Sequence, residues 1–447
     1  MENCQFQVGF GRKCITPTES MPLGGYGNVM KRMSQNVLSD LYTTCVAMTD
    51  ARGNTLLMFH NDILGSAMEV SMPWRQAVSA ATGVDVEHIM VTATHTHSAP
   101  AYYYTAAECV VRYNAMVKEQ MVQAAVEAMA DRAPATMYFA KGKTKSLNFV
   151  RHYVMENGGY RGDNFGDGNP LPYKSHTTLA DPEMRIVKFA REEKKDVWLV
   201  NWQTHPQRTG GGKKYDISAD IIGVMRDGLE ETENCLFAYF NGGAGNLNAT
   251  SRIKEENIYA DYLESGAALA NHARQAAAGF APAKVGPICV THEVSVHPLN
   301  RPDEEIYRKS KEVQALWHEL NDYKAMIPHC AQRGINSPYA ANAFIGKYQS
   351  KEDTYRVHMY AISIGELAFA TAPYEMFDTN AKYIRDHSPF PMTMVIGYAN
   401  DGLSYIPSAY GYIHGCYEAD CTKFRPGTGE ILANQYVQML EQLHKEQ

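Results

Sequence analysis

Short apolar runs alternate along this chain with longer stretches whose apolar residues recur three or four apart. Runs at 43–49, 55–60, 84–91, 184–189, 197–202, 235–240, 357–364, 367–370 and 395–398 read as strands. Segments 72–82, 106–132, 220–230, 257–278, 302–325 and 430–445 read as helices. In 106–132 the residues Val110, Val111, Met116, Met121, Ala124, Val126 and Met129 make one apolar stripe, so its methionines read as core packing. The 302–325 segment is dense with charge and reads as a solvated outer helix. Gly53-Asn54 predicts a hairpin between the first two strands. Residues 5–29, punctuated by Gly and Pro, read as an entry loop, 145–180 as a long functional loop and 326–354 as a polar connection. Strands released into polar turns and then helices predict an α/β fold of mixed sheets covered by helices. In such folds the functional groups gather at the C-terminal ends of strands.

Polar side chains with chemical potential stand at several of those ends. The run 89–91 leads into T-H-T-H-S-A-P, and in extended chain His95 and His97 would project to one side, ~6–7 Å apart. An H-x-H pair alone is a weak signal. The run 197–202 repeats the arrangement, ending in N-W-Q-T-H-P, where Pro206 stops the strand and holds His205 at its end. The run 235–240 opens into N-G-G-A-G-N-L-N, which lacks the Lys-Ser/Thr of a P-loop and the strict G-x-G-x-x-G. Its glycines read as room for close backbone approach to a ligand. Asp62 follows the 55–60 run and is either a site carboxylate or a turn or helix-capping residue. Glu375, in T-A-P-Y-E-M-F, follows the 367–370 run and is expected to begin a helix. Two neutral imidazoles and a carboxylate are a normal ligand set for a catalytic zinc with one position left open to water. Such a metal lowers the pKa of that water towards ~7.

Composition narrows the classes. The chain has 447 residues, 45% hydrophobic and 20% charged, with a net charge of −7, which excludes disorder as the main theme. Lys and Arg never run more than two together, so nucleic acid and anionic membranes are not expected partners. No apolar stretch is long enough to span a bilayer, and the N-terminus lacks the apolar core of a secretory signal. The nine cysteines are scattered and odd in number, reading as reduced thiols, Cys416 and Cys421 among them. The expectation is a cytoplasmic protein with a small-molecule substrate and no stable membrane association, folded as one domain over 1–447. His318 and His329 read as surface histidines.

With these residues in place, the chain resembles the neutral ceramidases and their bacterial homologues. The likeness is carried by V-G-F-G-R-K-C-I-T-P and L-G-G-Y-G near the N-terminus, T-H-T-H-S-A-P at 94–100 and F-V-R-H-Y-V-M-E-N-G at 149–158. It continues through D-P-E at 181–183, T-H-P at 204–206, P-Y-E-M-F at 373–377 and N-D-G-L-S-Y-I-P at 400–407, all in the same order. The resemblance implies a ceramidase-like catalytic domain and a zinc amidohydrolase in which His95, His205, Glu375 and Tyr405 hold the metal. It places His97, Arg151 and Tyr417 around the reacting amide, to orient water, move a proton and stabilise the oxyanion. The tyrosine ligand comes from the resemblance alone.

The departures concern substrate. Family members typically follow H-T-H-S with G-P-G-G, whereas this chain has Ala99-Pro-Ala-Tyr-Tyr-Tyr104. A G-D-V-S-P-N-like turn is replaced by 243–248, which puts Asn246 where the family serine contacts substrate. Tyr102, Asn246 and Asp62 are the expected substrate contacts. The C-terminal β-sandwich of well-characterised members is not expected here.

The sequence thus predicts a zinc-dependent hydrolase that cleaves an amide of a small or N-acylated substrate through metal-activated hydroxide. The same site acting on an ester or lactone is the nearest alternative. A non-catalytic ligand-binding homologue, motivated by the altered 241–248 turn, is a second. A third is an amidohydrolase-type (β/α)8 barrel, which also uses H-x-H after a strand. Acyl chain, leaving group and oligomeric state are not legible in the sequence.

Overall fold

The computed structural model describes residues 5–26, 32–162, 172–210, 215–320 and 322–447. Two β-sheets packed face to face form its centre. The larger contains, in chain order, β1 (Gln7–Cys14), β2 (Tyr42–Thr49), β3 (Thr55–Asn61), β4 (Ile89–Ala93), β5 (Ala133–Lys143), β6 (Glu183–Arg191), β7 (Asp196–Trp202) and β8 (Cys235–Asn241). Their spatial order is β8-β7-β6-β5-β1-β2-β3-β4, and a short strand, Ala281–Ala283, pairs beside β5. The smaller sheet runs in sequence order through β9 (Ile288–Pro298), β10 (Thr354–Ile364), β11 (Leu367–Thr371) and β12 (Met392–Ile396). Most neighbours are antiparallel. The parallel pairs of these sheets are β3/β4, β7/β8 and β11/β12.

Residue alternation along the strands explains the layering. Val46, Met48, Leu56, Met58, Val197 and Leu199 face the second sheet and meet Ile362, Ile364, Phe369 and Met394. Their neighbours Cys45, Ala47, Leu57 and Phe59 face outward onto helices α1 (Met68–Thr82) and α2 (Glu108–Ala130). At the other end of the sheet, Trp198, Val200, Phe237 and Tyr239 face α3 (Asp220–Thr232) and α4 (Tyr262–Ala277). The outer side of the small sheet is covered by α8 (Asp378–His387) and α11 (Thr428–Glu446). The order of layers is helix, sheet, sheet, helix. Strands covered on both sides carry no polar face, which is why they read as continuous apolar runs.

The α/β expectation of mixed sheets under helices is what forms, and the antiparallel pairing rules out the (β/α)8 barrel. Several local expectations change. The entry loop contains β1, a central strand; residues 27–29 lie outside the described residues. Its glycines serve packing: a Cβ on Gly9 would sit 1.9 Å from Ala128 O, and one on Gly11 would sit 2.1 Å from Ala124 O, so α2 rests directly on this backbone. Strand 84–91 becomes a 3₁₀ turn, Val86–His88, followed by β4.

The 302–325 helix divides into α5 (Glu304–Leu320) and α6 (Tyr323–Gln332), and the polar connection contains α7 (Pro338–Gln349). These three helices share a small core of their own around Val313, Met326, Cys330 and Ala341, so each carries only a thin apolar stripe. The loop 145–180 holds short strands Phe149–Val150, His152–Met155, Tyr160–Gly162 and Tyr173–His176; residues 163–171 lie outside the described residues. No helix among the described residues is long and apolar enough to cross a membrane.

The contact between β1 and α2 makes a quantitative prediction. Because the blocking atoms belong to helix backbone, Gly11→Ala should cost about 2–3 kcal/mol of stability in urea denaturation, at the upper end of overpacking penalties. A variant as stable as the parent would contradict this close approach.

Candidate active site

The larger sheet curls until its two ends meet. Tyr239 N of β8 donates to His60 Nδ1 of β3 (3.0 Å), and Asn241 Nδ2 donates to Thr94 O just beyond β4 (3.0 Å). The small sheet joins at the same place. Asn201 Nδ2 of β7 donates to Val395 O of β12 (3.0 Å), and Asn400, after β12, exchanges hydrogen bonds with the backbone of Val91 in β4. Three parallel pairs therefore deliver their C-terminal ends to one spot, and each contributes a loop to it. Three residues at this junction without the freedom of glycine hold positive φ: His95 (68°), Tyr398 (56°) and Asn400 (64°). Such backbone persists only where surrounding contacts enforce it, and it clusters at functional sites.

His95 and His97 come together by a different route from the one the sequence suggested. The chain leaves the strand at Ala93, and left-handed His95 turns its ring onto Tyr398, 4.0 Å away and nearly parallel. His97 N donates to Pro206 O (3.0 Å), tying the two histidine loops together, and His97 Nε2 ends 3.3 Å from His95 Nε2. Gly25, at φ 94°, lies flat against the His97 ring; a Cβ there would stand 2.6 Å from it.

Glu375 is not at a helix start. It occupies a short strand, Tyr374–Met376, that pairs in parallel with Leu403–Ile406, in register opposite Tyr405. Tyr405 hydrogen-bonds the Glu375 carboxylate.

The electrostatics of this group are unusual. His95 Nδ1 lies 2.6 Å from Leu64 O and His205 Nδ1 lies 2.8 Å from Ala244 O. A carbonyl only accepts, so both Nδ1 atoms carry the proton and both Nε2 atoms present lone pairs. Burial pushes the pKa of His95 down to about 3, against the pull of Glu375, and pushes His97 and His205 well below the ordinary imidazole value. All three rings are therefore neutral. Burial also raises Glu375, while His95 and Arg151 oppose that rise. Glu375 Oε2 stands 3.5 Å from His95 Nε2 and 3.3 Å from His205 Nε2, and neither Oε2 nor His205 Nε2 has a hydrogen-bond partner. A carboxylate oxygen thus faces two imidazole lone pairs out of reach of solvent. A divalent cation would convert that repulsion into coordination, so the residues fit the expected metal. His95, His97 and His205 also place ligand-capable nitrogens within 4.8 Å of one another.

Arg151 forms one wall. Its guanidinium lies 2.5 Å from Glu418 Oε1, donates to Gly245 O (2.8 Å) and stands 5.5 Å from the centre of the Tyr405 ring. Glu418 also contacts His152 Nε2 at 2.9 Å. Burial alone would raise the Glu418 carboxyl, but Arg151 and His152 together hold it far below the usual range. The neighbouring Tyr417, both residues lying on α10 (Tyr417–Cys421), faces the same cavity, its ring 5.9 Å from that of Tyr405.

The cavity measures about 470 Å³ and is lined by His95, His97, Arg151, Glu375, Tyr405 and Tyr417 of the expected residues. His205 lies fully buried beside it. The three expected substrate contacts are elsewhere. Asp62 is enclosed between His60 (3.2 Å) and Arg226 (2.9 Å) and pins α3 to β3. Asn246 spends its amide on Asp378 (2.7 Å to Oδ1, 2.9 Å from its backbone N) and Tyr410 (3.1 Å), securing the start of α8. Tyr102 packs behind Tyr103, and it is Tyr103 that reaches the cavity.

Tyr26, Gln207 and Tyr339 also line the cavity without having been singled out by sequence. Tyr26 is part of the L-G-G-Y-G motif and Gln207 directly follows T-H-P, a signal that was there to follow. Tyr339 arrives on α7, far from any of them.

No family profile and no curated protein matches this chain. Solved structures do. The neutral ceramidase from Pseudomonas aeruginosa aligns over 100% of this chain and 75% of its own, with a TM-score of 0.71 and 17% sequence identity. This chain has a ceramidase-like fold. A structure described as a ceramidase complexed with C2 gives the same TM-score of 0.71 at 16% identity, covering 99% of this chain and 76% of that one. At these identities the likeness establishes architecture. What the ceramidase-like chain does with that architecture has to be argued from its own residues.

The Arg151–Glu418 pair, both members nearly solvent-free, yields the next prediction. Glu418→Gln leaves a buried guanidinium without its counter-charge and should cost about 3–5 kcal/mol in chemical denaturation. In the parent the pair's contribution is complete above the ordinary glutamate value of about 4.3 and declines as pH falls below it. The difference between parent and variant should therefore shrink in acid. A difference independent of pH would show that the pair does not act through charge.

Proposed function

We propose that this ceramidase-like protein is a zinc-dependent hydrolase that cleaves the amide bond of a small N-acylated substrate. The observation that carries the proposal is the Glu375 Oε2 atom set against the lone pairs of His95 and His205 with no hydrogen in reach. That donor set, two nitrogens and one oxygen, suits zinc. Zinc held there supplies Lewis-acid polarisation of the scissile carbonyl and brings the pKa of a water towards ~7.

The chain's own residues do the rest. Leu64 O and Ala244 O fix the tautomer and direction of the two ligand rings, the usual task of groups just outside a metal shell. Tyr405 hydrogen-bonds Glu375 and stands beside it, a neutral phenol whose pKa burial holds well above the ordinary value. It would join His95, His205 and Glu375 in holding the ion. His97, neutral in this environment and holding its proton at Nε2 towards the His95 lone pair (3.3 Å), would pass that proton to the leaving amine. Arg151 and Tyr417 face the cavity beside Tyr405 and would stabilise charge developing on the carbonyl oxygen.

His97 also belongs to the three-imidazole group, which makes it the one residue whose assignment as proton carrier or ligand a simple measurement separates. Protein purified from zinc-supplied cells should contain the metal by elemental analysis, and absence of any divalent ion would overturn the proposal. His205→Ala should weaken zinc binding by more than the ~10–100-fold seen when only an outer hydrogen bond is lost. His97→Ala should keep its zinc and lose about 10²–10⁴-fold in kcat on an amide panel. Zinc lost equally in both variants would make His97 a third imidazole ligand. Turnover of esters or lactones without amides would move the reaction to those acyl groups.

A further inference from the structure

The mouth of the cavity is built from tyrosines that are each propped by a second group. The Tyr26 ring stands edge-on to His97 (4.9 Å between centres), with the Arg32 guanidinium 4.8 Å from its centre. Tyr103 stands perpendicular to Tyr102 at 5.2 Å. Tyr339 stacks on Tyr323 at 5.5 Å, with Trp317 beyond it at 6.2 Å. Tyr103 and Tyr339 are nonetheless 46% and 39% exposed. Rings fixed from behind and open in front form a preorganised contact surface, because a tyrosine held this way loses little freedom when something docks on it.

The chemistry of that surface is specific. Tyr417 adds another phenol and Gln207 a carboxamide already bonded to Asn248 (2.5 Å) and Tyr26 (3.3 Å), with one further acceptor site left on its oxygen, whereas Leu64 is the one aliphatic side chain among the described residues that line the cavity. Long acyl chains are held by continuous aliphatic walls, and these are missing from the described lining. Faces of phenol rings, negative at the centre, suit C–H groups made positive by neighbouring oxygens, and phenol and amide edges suit hydroxyls. A charged substrate is disfavoured. Among the described lining residues both charged side chains are already matched, Glu375 by the metal assigned to it above and Arg151 by Glu418 at 2.5 Å.

We propose that this site takes a compact, neutral, polyhydroxylated N-acyl amine, the chemistry of a short-chain N-acylated amino sugar, and excludes long-chain N-acyl lipids. The bond cleaved rests on the amide-hydrolase reading above; what the cavity holds rests on the tyrosine rim. Water adds across the amide, giving a carboxylic acid and a free amine, so no further reactant is needed.

Three probes separate the possibilities in calorimetric titration of the zinc-loaded protein. They are N-acetyl-D-glucosamine, N-acetylcyclohexylamine with the same ring size but no hydroxyls, and N-hexadecanoyl-D-glucosamine. The first should bind roughly tenfold or more tighter than the other two, since a site built to hydrogen-bond hydroxyls rejects ligands that lack them. Tyr339→Leu should weaken that binding roughly tenfold, and Tyr339→Phe, which keeps the ring, should fall between. Equal affinities, a preference for the hexadecanoyl probe, or an unchanged Tyr339→Leu variant would each overturn the proposal. Acetate release in the same samples addresses the reaction separately. Selective binding without release from any amide sinks the hydrolase reading and leaves this one standing; release with the opposite selectivity does the reverse.

Discussion

Glu375 Oε2 lies within 3.5 Å of two imidazole nitrogens whose protons are committed elsewhere, and much of the molecule is arranged around that contact. Three groups offering only lone pairs repel one another unless a cation lies between them. Keeping them together therefore needs support from outside the cluster. Backbone carbonyls hold the far side of both rings, the left-handed turn at His95 sets one ring on Tyr398, and register with Tyr405 sets the carboxylate. Each support comes from a different strand end. The curl of the large sheet and the docking of the small one are thus requirements of the site as well as features of packing.

A second electrostatic arrangement stands beside the first with its charges already matched. Arg151 and Glu418 satisfy one another, and His152 shares the same carboxylate. The pair brings the 149–155 segment against α10 and presents Arg151 and Tyr417 on one wall. Buried pairs of this sort cost desolvation and are weak sources of net stability. Here the pair's clearer effect is positional, since it fixes the Arg151 guanidinium on the cavity wall.

The rim belongs to a third source. Helices α5 to α7 form a small body between β9 and β10 with a core of their own, and α7 reaches the mouth through Tyr339. Tyr26 comes from the segment after β1, and Tyr103 from the same loop after β4 that carries His95 and His97. The tyrosine rim therefore draws on one loop of the histidine cluster and on two other parts of the fold.

Periodicity and the polar strand ends identified the apolar strands, the amphipathic α2, the α/β class and the grouping of His95, His97, His205 and Glu375, and the family resemblance added Arg151, Tyr405 and Tyr417. Strand ends rich in polar residues are local patterns, and local patterns survive in one dimension. The sequence misled where one residue type serves two purposes. Gly9 and Gly11 looked like loop punctuation but let α2 rest on a central strand, and Asp62 and Asn246 looked available but are consumed by Arg226 and Asp378. Tyr339 had no signal because nothing near it in the chain marks the site, and Glu418, although next to Tyr417, gave none of its own because its partners Arg151 and His152 lie far away in the chain. Whether a polar group is free or already satisfied depends on what folds against it. That is a property of distances, and only the tertiary structure contains them.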